Sequence, residues 1–141
     1  DEPRAREGRA RVVKALLLTM LTAAGPALAA DADDLRRVEE TRRCIDCDLS
    51  GADFFGQDLS RAVLSGSDLS GADFTGAILY FAILQGADLS DAQFADANLY
   101  GADLRDADLS GAETEAARIC HTVLPSGQRS YGQCAGTSGG F

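Results

Sequence analysis

Four cysteines and a single histidine are the residues of this 141-residue chain with the most chemistry to offer. Cys44 and Cys47 have the Cys-x-x-Cys spacing of thiol–disulfide exchange, while Cys120 and Cys134 stand near the far end. Exchange chemistry needs a thiol pKa lowered by a helix N-terminus or a nearby cation. The charge pattern here places a helix before the pair instead of after it. Haem attachment is excluded, because position 48 is Asp where that motif needs His. An even number of cysteines favours disulfides in an exported chain. Joining Cys120 to Cys134 would tie the terminal turn, and a loop of that size is worth about 3 kcal/mol in the chain-entropy view. Cys44 and Cys47 read as a local cross-link or as two buried thiols. His121 would need a hydroxyl beside it in a cleft to serve in Ser/His/Asp catalysis. The sequence offers no such cleft, so His121 reads as a surface or cap residue, and no catalytic, metal or cofactor residue is expected.

These groups are positioned by a repeat. From Cys47-Asp-Leu-Ser-Gly through Ala107-Asp-Leu-Ser-Gly, thirteen blocks of five residues follow without an insertion, each centred on Leu or Phe. A period of five fits neither the 3.6 of a helix nor the 2.0 of a strand. A chain turning about a quarter circle every five residues brings every centre to one axis, with the small residue two places earlier, usually Ala, also inward. Gly stands two places after the centre in eight of the thirteen blocks, where a corner needs a conformation other residues adopt at a cost. Phe54, Phe74 and Phe94 are the only aromatic centres and are twenty residues apart, so a four-sided coil stacks them in one column.

These blocks resemble the pentapeptide-repeat proteins, whose signature is Ala-Asp/Asn-Leu-x-x. The resemblance implies an all-β solenoid: a right-handed quadrilateral β-helix, here of about three coils, without enzyme activity. The tail, with Cys120-His-Thr122, Pro125, Gly127 and then Cys134, is similar to the closing segment of secreted bacterial members. At roughly 4.8 Å per layer, the two cysteine pairs would lie about 15 Å apart, which disfavours a zinc site using all four sulfurs.

The ends differ from the repeat. Residues 1–30 hold Arg4, Arg6, Arg9, Arg11 and Lys14, then the apolar run from Ala15 to Ala24, then Gly25-Pro26 and Ala27-Leu28-Ala29. That order reads as a secretory signal peptide; the run is short for a membrane span, which needs about 20 residues. Export to the periplasm or outside the cell is therefore expected, with no stable membrane insertion after cleavage. Residues 31–46 form an N-terminal cap, with a short helix predicted from acidic residues at its start and basic ones at its end. Residues 47–111 form the coil, 112–134 a C-terminal cap, and 135–141 a flexible tail.

The net charge of −9 argues against nucleic acid and anionic membranes as partners. Twenty-residue stacking aligns Asp48, Asp68, Asp88 and Asp108 into an acidic ladder on one face. Such carboxylates commonly accept backbone N–H bonds. One carboxylate per layer gives no dense calcium loop. The family resemblance adds another reading, since some relatives imitate DNA and block topoisomerases. On another edge Val63, Ile78, Tyr80, Phe81, Ile83 and Tyr100 gather, with the two tyrosines predicted to stack. An apolar patch with aromatics suggests contact with a protein partner or a second copy, with docking of the chain's own tail as the main rival. The expectation is a non-enzymatic protein-binding or scaffolding module of the cell envelope, with an acidic DNA mimic and a thiol-redox protein using Cys44 and Cys47 as alternatives.

Overall fold

The computed structural model describes residues 29–131 and Cys134. Nearly all of the expected signal peptide, and the expected tail 135–141, lie outside the described residues. Helix α1 spans Ala32–Thr41. Asp31 starts it, its carboxylate accepting from the N–H groups of Asp33 and Asp34 at 2.9 and 3.2 Å. Arg42, left-handed at φ 55°, ends it and returns its N–H to Val38 O. The helix stops before Arg42 and Arg43, so its last turn holds no basic residue and the expected charge order is only half realised. Val38 is buried and Leu35 half-buried against the coil.

Beyond α1 the chain pairs with itself in parallel at twenty-residue intervals, from Arg43 with Val63 to Asp103 with Val123. The register therefore runs past Gly111 through Glu113, Arg118 and Val123, although Thr114 interrupts the apolar centres before buried Ile119 resumes them. Four sides share each turn. Side one stacks Asp48, Asp68, Asp88 and Asp108; side two stacks Asp53, Asp73, Gln93 and Glu113. Side three stacks Asp58, Ile78, Asn98 and Arg118; side four stacks Arg43, Val63, Ile83, Asp103 and Val123. Each side contributes one pairing residue, so the solenoid is built from single parallel bridges and not from extended strands. The cause is the period itself: a corner every five residues leaves no room for a longer strand.

Every fifth residue from Asp46 to His121 has positive φ, between 55° and 70°, whether it is Gly or not. At these corners the carbonyl of a block centre accepts from the residue three places on, as Ala52 N to Leu49 O at 3.1 Å. The corner N–H goes to the next layer, as Gly51 N to Ser70 O at 2.8 Å. Both polar groups are thus satisfied without a helix or an extended ladder.

The interior is Leu and Ala in alternation, with nearly all of these side chains fully buried. Phe54 and Phe74 stack at 5.2 Å and 19°, and Phe74 and Phe94 at 5.0 Å and 5°. Gln57 takes an inward register position in the lowest layer yet is exposed, its amide donating to Asp53 O at 3.3 Å. At the top, Val123 pairs antiparallel with Arg129 across a turn at Gly127, and Cys120 is bonded to Cys134. Phe74→Ala, which empties the middle of the ring column, should cost about 3–5 kcal/mol by chemical denaturation. Phe55→Ala, at an exposed ring, should change stability by less than about 0.5 kcal/mol.

Candidate functional site

The acidic ladder is first a set of turn locks. Asp48, Asp68, Asp88 and Asp108 each accept through Oδ1 from both the N–H and the hydroxyl of the serine two places on. Asp58 and Ser60 do the same on side three. The Ser60 and Ser110 hydroxyls hold the Asp58 and Asp108 carboxyls below their ordinary pKa, with their backbone amides adding to the effect. Like charges stack here because each is anchored within its own layer.

The corner between sides three and four is different. Phe81 occupies it with φ 56°, left-handed, and its side chain is 47% exposed. That conformation costs a residue with a Cβ roughly 1–2 kcal/mol. Around it the rings form a ladder. Phe81 meets Tyr100 edge-on at 5.6 Å, Tyr80 meets Tyr100 at 6.1 Å and 79°, and Tyr100 meets His121 at 5.3 Å. His121 in turn meets Tyr131 at 5.4 Å. Below, the Arg61 guanidinium lies 5.5 Å over the Phe81 ring. The tyrosines are therefore not stacked as the sequence predicts. At an exposed corner no packed interior forces rings parallel, and the ring quadrupole favours an edge-on meeting.

Gly101 explains where the Phe81 ring rests. A Cβ added to Gly101 would collide with Cδ1 and Cε1 of that ring, so the ring lies on bare backbone. Ile78 and Ile83 flank the corner, both 37% exposed, while Val63 is half-buried one layer below. Asn98 donates to the Tyr80 hydroxyl at 3.2 Å. The structure brings all six sequence-predicted patch residues to this edge and adds Arg61, His121 and Tyr131. Arg61 and His121 stand twenty before and forty after Phe81, so the period alone could have found them. Tyr131 arrives by the return after Gly127, which no period encodes.

Side four carries a polar clamp one layer below Val123. Asp103 accepts from Gln85 Nε2 at 2.6 Å and from Arg105 Nη2 at 2.5 Å. The Arg105 hydrogen bond, outweighing partial burial, holds the Asp103 carboxyl at about 2. Cys44 and Cys47 are bonded to each other at the lower end, with Cα atoms 5.7 Å apart. Among the described residues, no helix is long and apolar enough to cross a membrane.

A family model for pentapeptide repeats, in 8 copies, matches residues 47–80 and 79–111. The chain belongs to the pentapeptide-repeat family. Proteins of this family form right-handed quadrilateral β-helices and are generally non-enzymatic structural or binding modules. Among solved pentapeptide-repeat structures, HetL of the cyanobacterium Nostoc sp. strain PCC 7120, involved in heterocyst differentiation regulation, is 34% identical. That match covers 62% of this chain and 41% of HetL, with a TM-score of 0.41. Rfr23 of Cyanothece 51142 is 32% identical over 64% of this chain and 82% of its own, with a TM-score of 0.42. The protein alr5209 of Nostoc PCC 7120 is 30% identical over 64% and 79%, with a TM-score of 0.40. No curated protein sequence matches the chain.

The stability that Asp103 contributes is complete above the ordinary carboxyl value of 3.8 and is lost as pH falls through about 2. Arg105→Ala should move the Asp103 midpoint up towards 3.8 in a carboxyl-resolved NMR titration. An unmoved midpoint would mean that the Arg105 contact is not what holds it.

Proposed function

We propose that this pentapeptide-repeat protein is a non-enzymatic scaffold of the cell envelope, periplasmic or extracellular, that binds another protein through the Phe81 edge. The observation that carries the reading is Phe81 itself. A large ring 47% exposed in a left-handed corner gains little from the fold it burdens. With Tyr80, Tyr100, His121 and Tyr131 it makes a firm aromatic line, the side-chain type that anchors protein interfaces. The rigid coil beneath keeps the entropy lost on binding low.

Export is supported by the basic-then-apolar opening of the chain and by an even set of cysteines that pair in twos. We read α1 as the lower cap, because Asp31 N–H reaches Asp48 O at 2.8 Å and the Asp34 carboxylate accepts the Asp48 N–H at 2.9 Å. The pairing of Val123 with Arg129, tied down by Cys120 and Cys134, supports an upper cap on side four.

The test is a pull-down from envelope extract with the native protein and with the Tyr80→Ser, Phe81→Ser double variant. A band retained by the native protein and lost by the variant, at unchanged circular dichroism, is expected. Equal capture by both would remove the edge from consideration. Gly101→Ala gives a finer probe, since it displaces the Phe81 ring without deleting it and should weaken capture in the same direction. Light scattering should show the same mass for native and double variant; a dimer dispersed by the variant would replace a foreign partner with a second copy.

A further inference from the structure

The lower end of the coil carries a cluster that the aromatic edge does not use. The bonded Cys44 and Cys47 lie beneath α1, 1% and 5% exposed. From the middle of that helix, Arg37 donates through Nη1 towards both sulfurs, at 3.4 Å to Cys44 and 3.2 Å to Cys47. The same Nη1 is 3.0 Å from Asp34 Oδ1, and the other oxygen of Asp34 accepts the Asp48 N–H at 2.9 Å. The guanidinium is thereby fixed over the pair. From the other side the buried Ser67 hydroxyl donates to Cys44 O at 2.9 Å and accepts the Cys47 N–H at 3.1 Å. The loop is held at both its cysteines.

A disulfide sulfur is neutral and a weak acceptor, so these guanidinium contacts add little to the oxidised pair. A thiolate in the same place receives a charge-assisted hydrogen bond, about twice as strong as a neutral one. The contact therefore favours the reduced form and lowers the thiol pKa, two properties that, together with access, separate an exchanging cysteine from an inert one. The cation comes from within the helix, a source that the order of helix and cysteines along the chain does not reveal.

We propose that Cys44 and Cys47 form a thiol–disulfide exchange site for a dithiol carried by another protein, with Arg37 holding the leaving thiolate. A thiolate of the incoming dithiol attacks Sγ of Cys47, the less buried residue of the two, and the Cys44–Cys47 bond breaks. Cys47 is left in a mixed disulfide and Cys44 as a thiolate beside Arg37. The second thiol of the dithiol, its proton lost to water, attacks its own chain's sulfur in that mixed disulfide. Cys47 leaves as a thiolate and takes up a proton. Two electrons have passed to the pair, and the incoming dithiol has become a disulfide. Both cysteines are nearly closed off, so the attacking thiolate must enter where the 52%-exposed Arg37 side chain lies over the pair. The charged groups around the pair are Arg37 and Asp34 on α1, with Arg43, Asp46 and Asp48 adjoining along the chain. Asp34 carries the opposing charge, its carboxylate within 4.8 Å of both sulfurs and paired with Arg37 and the Asp48 amide.

This site is independent of the aromatic edge, and its test is separate. The full chain is equilibrated in glutathione buffers, alkylated, and mapped by peptide mass so that the two disulfides are read apart. In the reduced native protein, the alkylation rate of Cys44 should titrate below the ordinary thiol value of about 8.5. Arg37→Gln should raise that midpoint and lower the reduction constant of this pair about tenfold, ~30 mV for a two-electron couple, while leaving Cys120–Cys134 unchanged. Arg37→Lys, which keeps a cation, should fall between the two. A native Cys44 midpoint at or above the ordinary value, or an Arg37→Gln constant within about twofold of the native one, would overturn the proposal; the first needs no variant to fold.

Discussion

Parallel pairing at a spacing of twenty residues governs the rest of this molecule. Each bridge needs its neighbours above and below in register, and each side is only five residues long, so an insertion of one residue would turn every later side chain to a wrong face. The corner is what makes the spacing possible. A left-handed residue at every fifth position bends the chain sharply while directing its own N–H to the layer above. Gly fills half of these corners at little cost, and Asp fills several others, a residue that tolerates the conformation better than most.

From that frame the distribution of chemistry follows. Inward positions must be small or of one size, because adjacent layers lie in contact, and they are mostly Ala and Leu with a single aromatic column. Outward positions are released from packing. On sides one and two most of them carry carboxylates that lock their own turns through Ser, Thr or backbone N–H groups. On the corner between sides three and four they carry rings. The contrast is local: a carboxylate bonded within its layer strengthens the turn, whereas Phe81 strains it and is supported from outside by Tyr100 and Arg61.

The two ends show how a repeat stops. Below, α1 brings an acidic first turn to the open amide of Asp48 and an apolar Val38 to the open core. Above, the return through Gly127 pairs one side, and Cys120 bonded to Cys134 anchors it. Both ends use a cysteine pair where the repeat no longer supplies a full layer of contacts.

The repeat itself was legible in the amino-acid order. The five-residue period, the column of Phe54, Phe74 and Phe94, the stacked aspartates and the six-residue apolar edge all follow from counting, because a solenoid converts sequence separation into spatial neighbourhood by a fixed rule. The same rule could have placed Arg61 and His121 beside Phe81. What counting cannot supply is anything set by side-chain torsion or by chain outside the period. The edge-on meeting of Tyr80 and Tyr100, the rest of the Phe81 ring on Gly101, the arrival of Tyr131, and the reach of Arg37 to both sulfurs were decided only by tertiary structure. Periodicity fixes where each Cα stands along a side; the final ångströms belong to rotamers and to the helix that folds back beneath the first turn.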